Sequence, residues 1–374
     1  MSTPRITVGL PVYKGADLIA KTLDCLQRQT FGDFEAIISV DGGDAETAAA
    51  CRPFLVDPRF RMVVHPQRLD WVGNFNWLLQ QDLQEFFCYR QHDDTTAPEF
   101  FEVLLQVADR DPDAAAIYCD CQYSGKSNHI EIVRSIRGDT LNRMREFIER
   151  IPIVHGPPIR GLIRKAAIRQ AGLVRSDEFR APLQIHGWLA KLLRWGSFRR
   201  VGGALYYRLD RAHSFTREYK AGAKDRKRAE WTTLFTGLLE AAMPLCRTPE
   251  QRLFFQQTIL DRIVAYPNFN PSNEPNSSGK LIAECLERLR YEGNTHLLRE
   301  EELPPILKQL PRRLDEIKFP VGYRSRMRKG IHQIRQRYRF GKLIYPSSPL
   351  RRVTYQIRHL LEMLGKVSRL FLVR

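Results

Sequence analysis

The chain has no run of 18 apolar residues anywhere in its 374, so no helix-length bilayer span is expected. Nor does it open on a charged leader with an apolar core. Met1-Ser2-Thr3-Pro4-Arg5 runs straight into strand-like sequence, and the expected setting is cytoplasmic. The seven cysteines (Cys25, Cys51, Cys88, Cys119, Cys121, Cys246 and Cys285) are odd in number and lack paired C-x-x-C spacing. They read as reduced thiols, mostly core filler, and Cys119-Asp120-Cys121 alternates as a strand does, against a zinc site. Acid is nearly missing from one end. Residues 318–374 hold fifteen Lys and Arg against a single acid, Glu362, a net +14 of the whole chain's +17 that leaves +3 for the first 317 residues. This is a near-neutral body with a basic tail. There is no internal repeat and no long low-complexity tract.

What is present centres on residues 86–99. Phe86-Phe87-Cys88-Tyr89 has the apolar, aromatic character of a strand and leads through Arg90-Gln91-His92 to the adjacent acids Asp93 and Asp94. Thr96 and Glu99 have capping-box spacing, which predicts Thr96 as the cap of a helix through Phe100, Phe101, Val103, Leu104 and Val107. With the cap already supplied, the two acids are not needed at that helix start. They fall where a strand ends, which is where open α/β sheets bind ligands, so a metal or phosphate site competes with a solvated turn.

Strands are expected over 6–13, 34–40, 60–65, the 86–89 run and 114–119, with helices over 16–29, 47–55, 73–83 and 100 onward. That alternation means βαβ units and a mostly parallel sheet flanked by helices, an α/β fold. Pro11 marks the last turn of the first strand. Asp41, in Asp41-Gly42-Gly43-Asp44, shares the ligand edge with the Asp93–Asp94 pair. After about residue 125 the alternation weakens: a helix over 139–151, a loop-to-strand passage over 154–161, and a short helix over 165–171 closed by Gly172. A helix over 185–195 stopped by Gly196 and a strand over 199–208 follow, and 217–317 reads as all-helical around a loop at 268–279.

Several of these pieces, in order, resemble the family 2 glycosyltransferases of the GT-A fold over residues 5–216. They are Pro11-Val12-Tyr13, Leu26-Gln27-Arg28-Gln29-Thr30 with Phe34-Glu35, Val40-Asp41-Gly42-Gly43, residues 68–77 from Arg68 through Gly73 and Asn74, His92-Asp93-Asp94, and Gly161-Leu162-Ile163-Arg164 with Tyr207-Arg208. The resemblance implies an inverting transfer of a sugar from a nucleotide-diphosphate donor, guessed as a UDP-sugar, to a hydroxyl acceptor. It implies Mg²⁺ or Mn²⁺ held by Asp94 with Asp93, because a hard cation on carboxylate oxygens neutralises the departing diphosphate. By the same match Pro11, Tyr13, Asp41, Arg68 and Asn74 lie on the donor side, and Arg164 and Arg208 on the acceptor or diphosphate side. His213 and Asp210 are candidates for a closing metal ligand. The chain departs from the family in two places. His92 stands for the first motif acid, and Gln184-Ile185-His186-Gly187-Trp188-Leu189 has no carboxylate where the family supplies its general base. His186 is the titratable group there, with Asp177 and Glu178 as the fallback.

Three regions are therefore expected: a GT-A domain over 1–216, a helical region of open role over 217–317, and a basic amphipathic tail over 318–374. In the tail Val353, Ile357, Leu360, Leu361, Leu364, Val367 and Phe371 share one helical face, and Arg358, Glu362, Lys366 and Arg369 another. Such a helix suits an anionic membrane surface on the inner face of the plasma membrane, and a glycan or lipid-linked acceptor in bacterial surface-polysaccharide synthesis. Packing against the chain's own helices is the alternative for that tail. For the whole protein the alternatives are a catalytically inactive GT-A binding protein and a nucleic-acid binder. The latter is disfavoured because Tyr338, Tyr345 and Tyr355 form no stacking pattern.

Overall fold

A computed structural model describes residues 4–125, 128–151, 156–175, 184–210, 224–264, 289, 293–299 and 302. Its strands are β1 (Ile6–Val12), β2 (Phe34–Val40), β3 (Phe60–Val64), β4 (Phe86–Tyr89), β5 (Thr95–Thr96), β6 (Ala114–Gly125), β7 (His129–Glu131), β8 (Leu162–Arg164) and β9 (Ser197–Asp210). They form one sheet in the order β3-β2-β1-β4-β8-β6-β9-β5, with β7 paired to β6. The β3-β2-β1-β4 half is parallel throughout, β8 enters antiparallel, and β6 and β9 run parallel along their length.

Each central strand is apolar without a break because both of its faces are covered. In β4, Phe86 and Cys88 face one core while Phe87 and Tyr89 face the other. The first core receives α1 (Ala16–Gln27), α2 (Ala45–Cys51) and α4 (Phe100–Arg110). The second receives α3 (Asp70–Leu79), α5 (Thr140–Arg150), α7 (Lys165–Ala171), α8 (Gln184–Leu192), α9 (Lys224–Ala242) and α10 (Pro249–Val264). A single turn, α6 (Gly156–Ile159), lies against β6. Pro11 costs the sheet nothing. Alternate residues of a parallel strand bond to opposite sides; Gly9 accepts from Arg90 N and Val12 from Asp41 N, so Pro11 faces the β4 side beyond the last pair, Gly9 with Tyr89.

Three expectations need correction. Thr96 is not a helix cap: it belongs to β5 and pairs with Tyr206, and α4 starts with Glu99 at an N-cap that makes no side-chain bond. The cap comes from α1's end instead, where Gln29 Oε1 accepts the Phe101 N–H at 3.2 Å and its amide donates to Ala97 O at 2.8 Å. The third helix starts at Asp70 rather than Gly73, for a reason that lies in the site below. Residues 156–159 of the expected loop-to-strand passage form the α6 turn. His213, Asp177, Glu178, the 268–279 loop and the whole basic tail lie outside the described residues. Among those described, no helix is long and apolar enough to cross a membrane.

Candidate active site

The carboxyl ends of β1, β2 and β4 lie side by side, and the turns after them hold most of the residues singled out from sequence. After β2, Gly42 and Gly43 both adopt the left-handed conformation (φ 65° and 66°), which reverses the chain at little steric cost. This leaves Asp41 buried. Its Oδ1 accepts the Leu69 N–H at 2.6 Å and its Oδ2 the Asp70 N–H at 2.9 Å. These are two of the orphan donors at the start of α3, whose own N-cap, Leu69, has no side chain to supply. A carboxylate placed there also meets the positive end of the helix dipole. So Asp41 starts α3 three residues ahead of the sequence expectation, with Asp70 held at φ 60°. Asn74 is buried on the same helix and donates to Ser39 O at 3.0 Å, tying α3 to the end of β2.

Around this turn, the Arg68 guanidinium stacks on the Tyr13 ring, 3.5 Å from its centroid, and Arg68 Nε donates to Asp70 Oδ1 at 2.6 Å. Beside them a cleft of about 440 Å³ opens between Tyr13, Lys14, Asp17, Gly42, Asp44 and Thr47. Asp44 caps α2 by accepting from Thr47 N and Thr47 Oγ1, and also takes the Lys14 N–H at 2.6 Å.

The two acids after β4 part company. Asp94 is 2 % exposed, and its Oδ2 accepts the Tyr206 hydroxyl at 2.8 Å. Arg160 Nε stands 3.4 Å from that oxygen and Arg208 Nε 3.9 Å. Burial raises the Asp94 pKa, and the two arginines work against the rise. The Tyr206 hydroxyl, pushed well above its ordinary value by burial and then by Asp94, stays protonated and donates. Arg160 is buried as well, donating to Gly156 O at 2.8 Å and Gln91 Oε1 at 2.7 Å. Below it Arg90 rests its charge on the faces of Phe100 and Tyr206, 5.1 and 4.8 Å from their centroids. Asp93, by contrast, is half-buried at the same turn.

This division decides how a cation would fit. Asp94, expected as the principal metal ligand, already has one oxygen, Oδ2, facing two guanidinium groups and a phenol. Among the described residues no three His, Cys, Asp or Glu side chains gather as a metal cage. Mg²⁺ in nucleotide enzymes needs only one or two carboxylates, with phosphate oxygens and water completing the shell; at this turn Asp93 is the half-buried acid, and Asp94 has its Oδ2 engaged by Tyr206, Arg160 and Arg208.

The remaining expected residues fall unevenly. Arg208 is in the site, and its Nη1 donates to the Tyr123 hydroxyl. Arg164 is at the opposite edge. It pairs with Phe86, the first residue of β4, and donates to the Ala114, Ala108 and Asp111 carbonyls and to Glu85, so it braces the sheet at the end of β4 away from the Asp93–Asp94 turn. His186 is 0 % exposed inside α8, a helix in which every residue but Lys191 is buried. Sequence reading missed Arg160, Tyr206, Gln91, Tyr123 and Glu131. A signal existed for Tyr206: the period of two along β9 puts it on the same face as Arg208, whereas Tyr207 points the other way.

The profile of the family described as Glycosyl transferase family 2 matches residues 7–172. Residues 7–172 thus carry the likeness to family 2 glycosyltransferases. The S. aureus TarS 1–349 structure in complex with UDP-GlcNAc has the same GT-A fold, with a TM-score of 0.60 at 13% identity over 83% of this chain and 86% of that one. The longer TarS structure gives 0.57 at the same identity, over 83% of this chain and 52% of that one. PcManGT, a mannosyltransferase from Pyrobaculum calidifontis in complex with GDP-Man and Mn²⁺, gives 0.45 at 16% identity over 83% of this chain and 87% of that one. In sequence, an uncharacterized protein y4gI of Sinorhizobium fredii (strain NBRC 101917 / NGR234) is 27% identical over 120 residues, which are 31% of this chain and only 13% of that protein's length. The family 2 match ends before β9, so Tyr206 and Arg208 come from outside it.

Proposed function

We propose that the chain moves a sugar from a nucleoside-diphosphate donor to a hydroxyl acceptor, with inversion at the anomeric carbon. One observation carries this reading: within the family 2 match, the ends of β2, β1 and β4 adjoin and bring the Asp41 turn, Tyr13 and Asp93 to a single sheet edge. Tyr13 and the Pro11 segment lie on the nucleobase side, with Arg68 stacked on the ring. Asp41 and Asn74 serve the donor through the backbone they fix rather than by direct contact. Asp93 would hold Mg²⁺ or Mn²⁺ together with the donor's phosphate oxygens, and the cation, when bound, neutralises charge on the leaving diphosphate. Arg160 and Arg208 hold Asp94 inward and keep the turn that presents Asp93 in place.

TarS has been solved in complex with UDP and with UDP-GlcNAc, which makes UDP-GlcNAc the first donor to try. The division into a transferase domain over 1–216, a helical region over 217–317 and a basic tail over 318–374 belongs to the same proposal. So does a cytoplasmic enzyme whose tail meets an anionic membrane bearing a lipid-linked acceptor of a bacterial surface glycan. The test is a thermal-shift screen of nucleotide sugars with and without Mn²⁺. UDP-GlcNAc or another nucleotide sugar should raise the melting temperature more with Mn²⁺ than without, and Asp93→Asn should abolish the metal-dependent part. No stabilisation by any nucleotide sugar in any condition would end the transferase reading.

A further inference from the structure

Inversion needs a group that takes the proton of the acceptor hydroxyl, and a role for any such group rests on the transfer proposed above. Residues 184–189 offer Gln184, an amide, and the enclosed His186. A carboxylate on the same wall as Asp94 comes instead from β7. Glu131 pairs with Cys121 of β6, which pairs on its other side with Tyr206 of β9. In-register neighbours share a face, so Glu131, Cys121 and Tyr206 form a row that ends at the phenol holding Asp94. Two residues further along, Tyr123 and Arg208 pair with each other and complete a second row.

The two rows are joined by a chain of polar contacts. Tyr123 Oη donates to Glu131 Oε2 at 2.8 Å, Arg208 Nη1 donates to Tyr123 Oη, and Arg208 Nε faces Asp94 Oδ2 at 3.9 Å. The Arg208 guanidinium also lies 4.6 Å from the Tyr123 ring centroid, and the His129 ring stacks on the same tyrosine at 4.3 Å. Burial pushes the Tyr123 phenol up to about 12, so at neutral pH it keeps its proton and donates it towards Glu131. Glu131 is half-buried and lies against Gly156 at the start of α6, where any Cβ would overlap its carboxylate. A carboxylate is thus tied through Tyr123 and Arg208 to the Asp93–Asp94 turn.

We propose that Glu131 is the proton acceptor of the transfer. The acceptor hydroxyl gives its proton to the Glu131 carboxylate while its oxygen bonds to the anomeric carbon. The bond from that carbon to the diphosphate oxygen breaks, and its electron pair leaves with the nucleoside diphosphate. Tyr123 is a positioning residue: it orients the carboxylate without touching substrate.

The experiment uses the full chain with UDP-GlcNAc as probe and Glu131→Gln as the isosteric variant. Three quantities are read: the melting-temperature rise on adding donor, the rate of UDP release to water or to simple methyl glycosides, and carbodiimide-driven labelling of Glu131 in the parent, with and without donor. The variant should keep the donor-induced rise and a KM for donor within about threefold, while kcat falls about 100-fold or more, the scale of a lost general base. Tyr123→Phe, which leaves the carboxylate, should lose about tenfold or less. Donor should suppress labelling of Glu131 in the parent, a readout that needs no variant to fold. UDP release by Glu131→Gln at the parent rate would overturn the assignment. Labelling unchanged by bound donor would also do so, and decides alone if turnover is too slow to follow. If no nucleotide sugar binds the parent, the transferase reading itself has failed, and that result is distinct from either outcome.

Discussion

The Tyr206 hydroxyl donates to Asp94 Oδ2 at 2.8 Å across 112 residues of sequence, inside a pocket that solvent does not enter. Asp94 is therefore an anchor between the β4 turn and β9, and its loss is first a loss of stability. Asp94→Asn leaves the enclosed Arg160 without its counter-charge and should cost about 3–5 kcal/mol. Tyr206→Phe removes one hydrogen bond to a charged group and should cost about 1.5–3 kcal/mol. Urea denaturation of both variants checks the order; equal stability of Asp94→Asn and the parent would contradict it.

Asp41 makes a different prediction, because its partners are backbone groups. Asp41→Ala strips the cap from α3 and should destabilise the chain by about 1–2 kcal/mol. The Leu69 and Asp70 amides, now without an acceptor, should exchange hydrogen with solvent much faster, while the β1 and β2 ladder amides keep their protection. Uniform loss of protection across both strands would show that the residue does more than start the helix.

Asp44 gives the fold a dependence on acid. Burial alone would raise its pKa, but the Thr47 hydroxyl and N–H and then the Lys14 N–H outweigh burial and leave it below the ordinary carboxylate range. A carboxylate lowered in the folded state contributes stability that is fully present above its unfolded pKa of about 3.9 and is lost as pH falls through the folded value. Asp44→Asn should therefore lower the urea midpoint at pH 7 and flatten its decline below about pH 4. A decline as steep as the parent's would assign the acid sensitivity elsewhere.

The buried thiols should be unreactive. Burial pushes Cys51 up to about 11 and Cys119 up to about 12, so neither offers thiolate at pH 8. Iodoacetamide on the native protein should leave both unmodified, and all seven cysteines should react in urea, as mass spectrometry of the peptides would show.

Much of this fold is legible in the sequence because its central strands are buried on both faces. Residues 34–40 and 165–171 are read to the residue, the first from an unbroken apolar run and the second from the glycine that follows it. Boundaries set from a distance are not legible. Nothing near Leu69 announces that Asp41 will start its helix, and nothing near Phe101 points to Gln29. At the site, the type of residue after β4 could be read, but not which acid turns inward. That depends on Arg160 and Tyr206, and Arg160 and Arg164 look equivalent as arginines until the antiparallel entry of β8 sends them to opposite ends of the sheet.

The parallel pairing of β6 with β9 joins two strands whose beginnings, Ala114 and Ser197, are far apart in the chain. Synthesis on the ribosome delivers the β4 acids long before the strand that will enclose them. Until β9 has emerged and docked, Asp94 has neither its phenol nor the second of its arginines, and the nascent domain carries an acid only partly enclosed. Such late, non-local closure makes for slow completion, and a chain stopped short of β9 would keep most of its sheet yet leave Asp94 without the Tyr206 hydroxyl and Arg208.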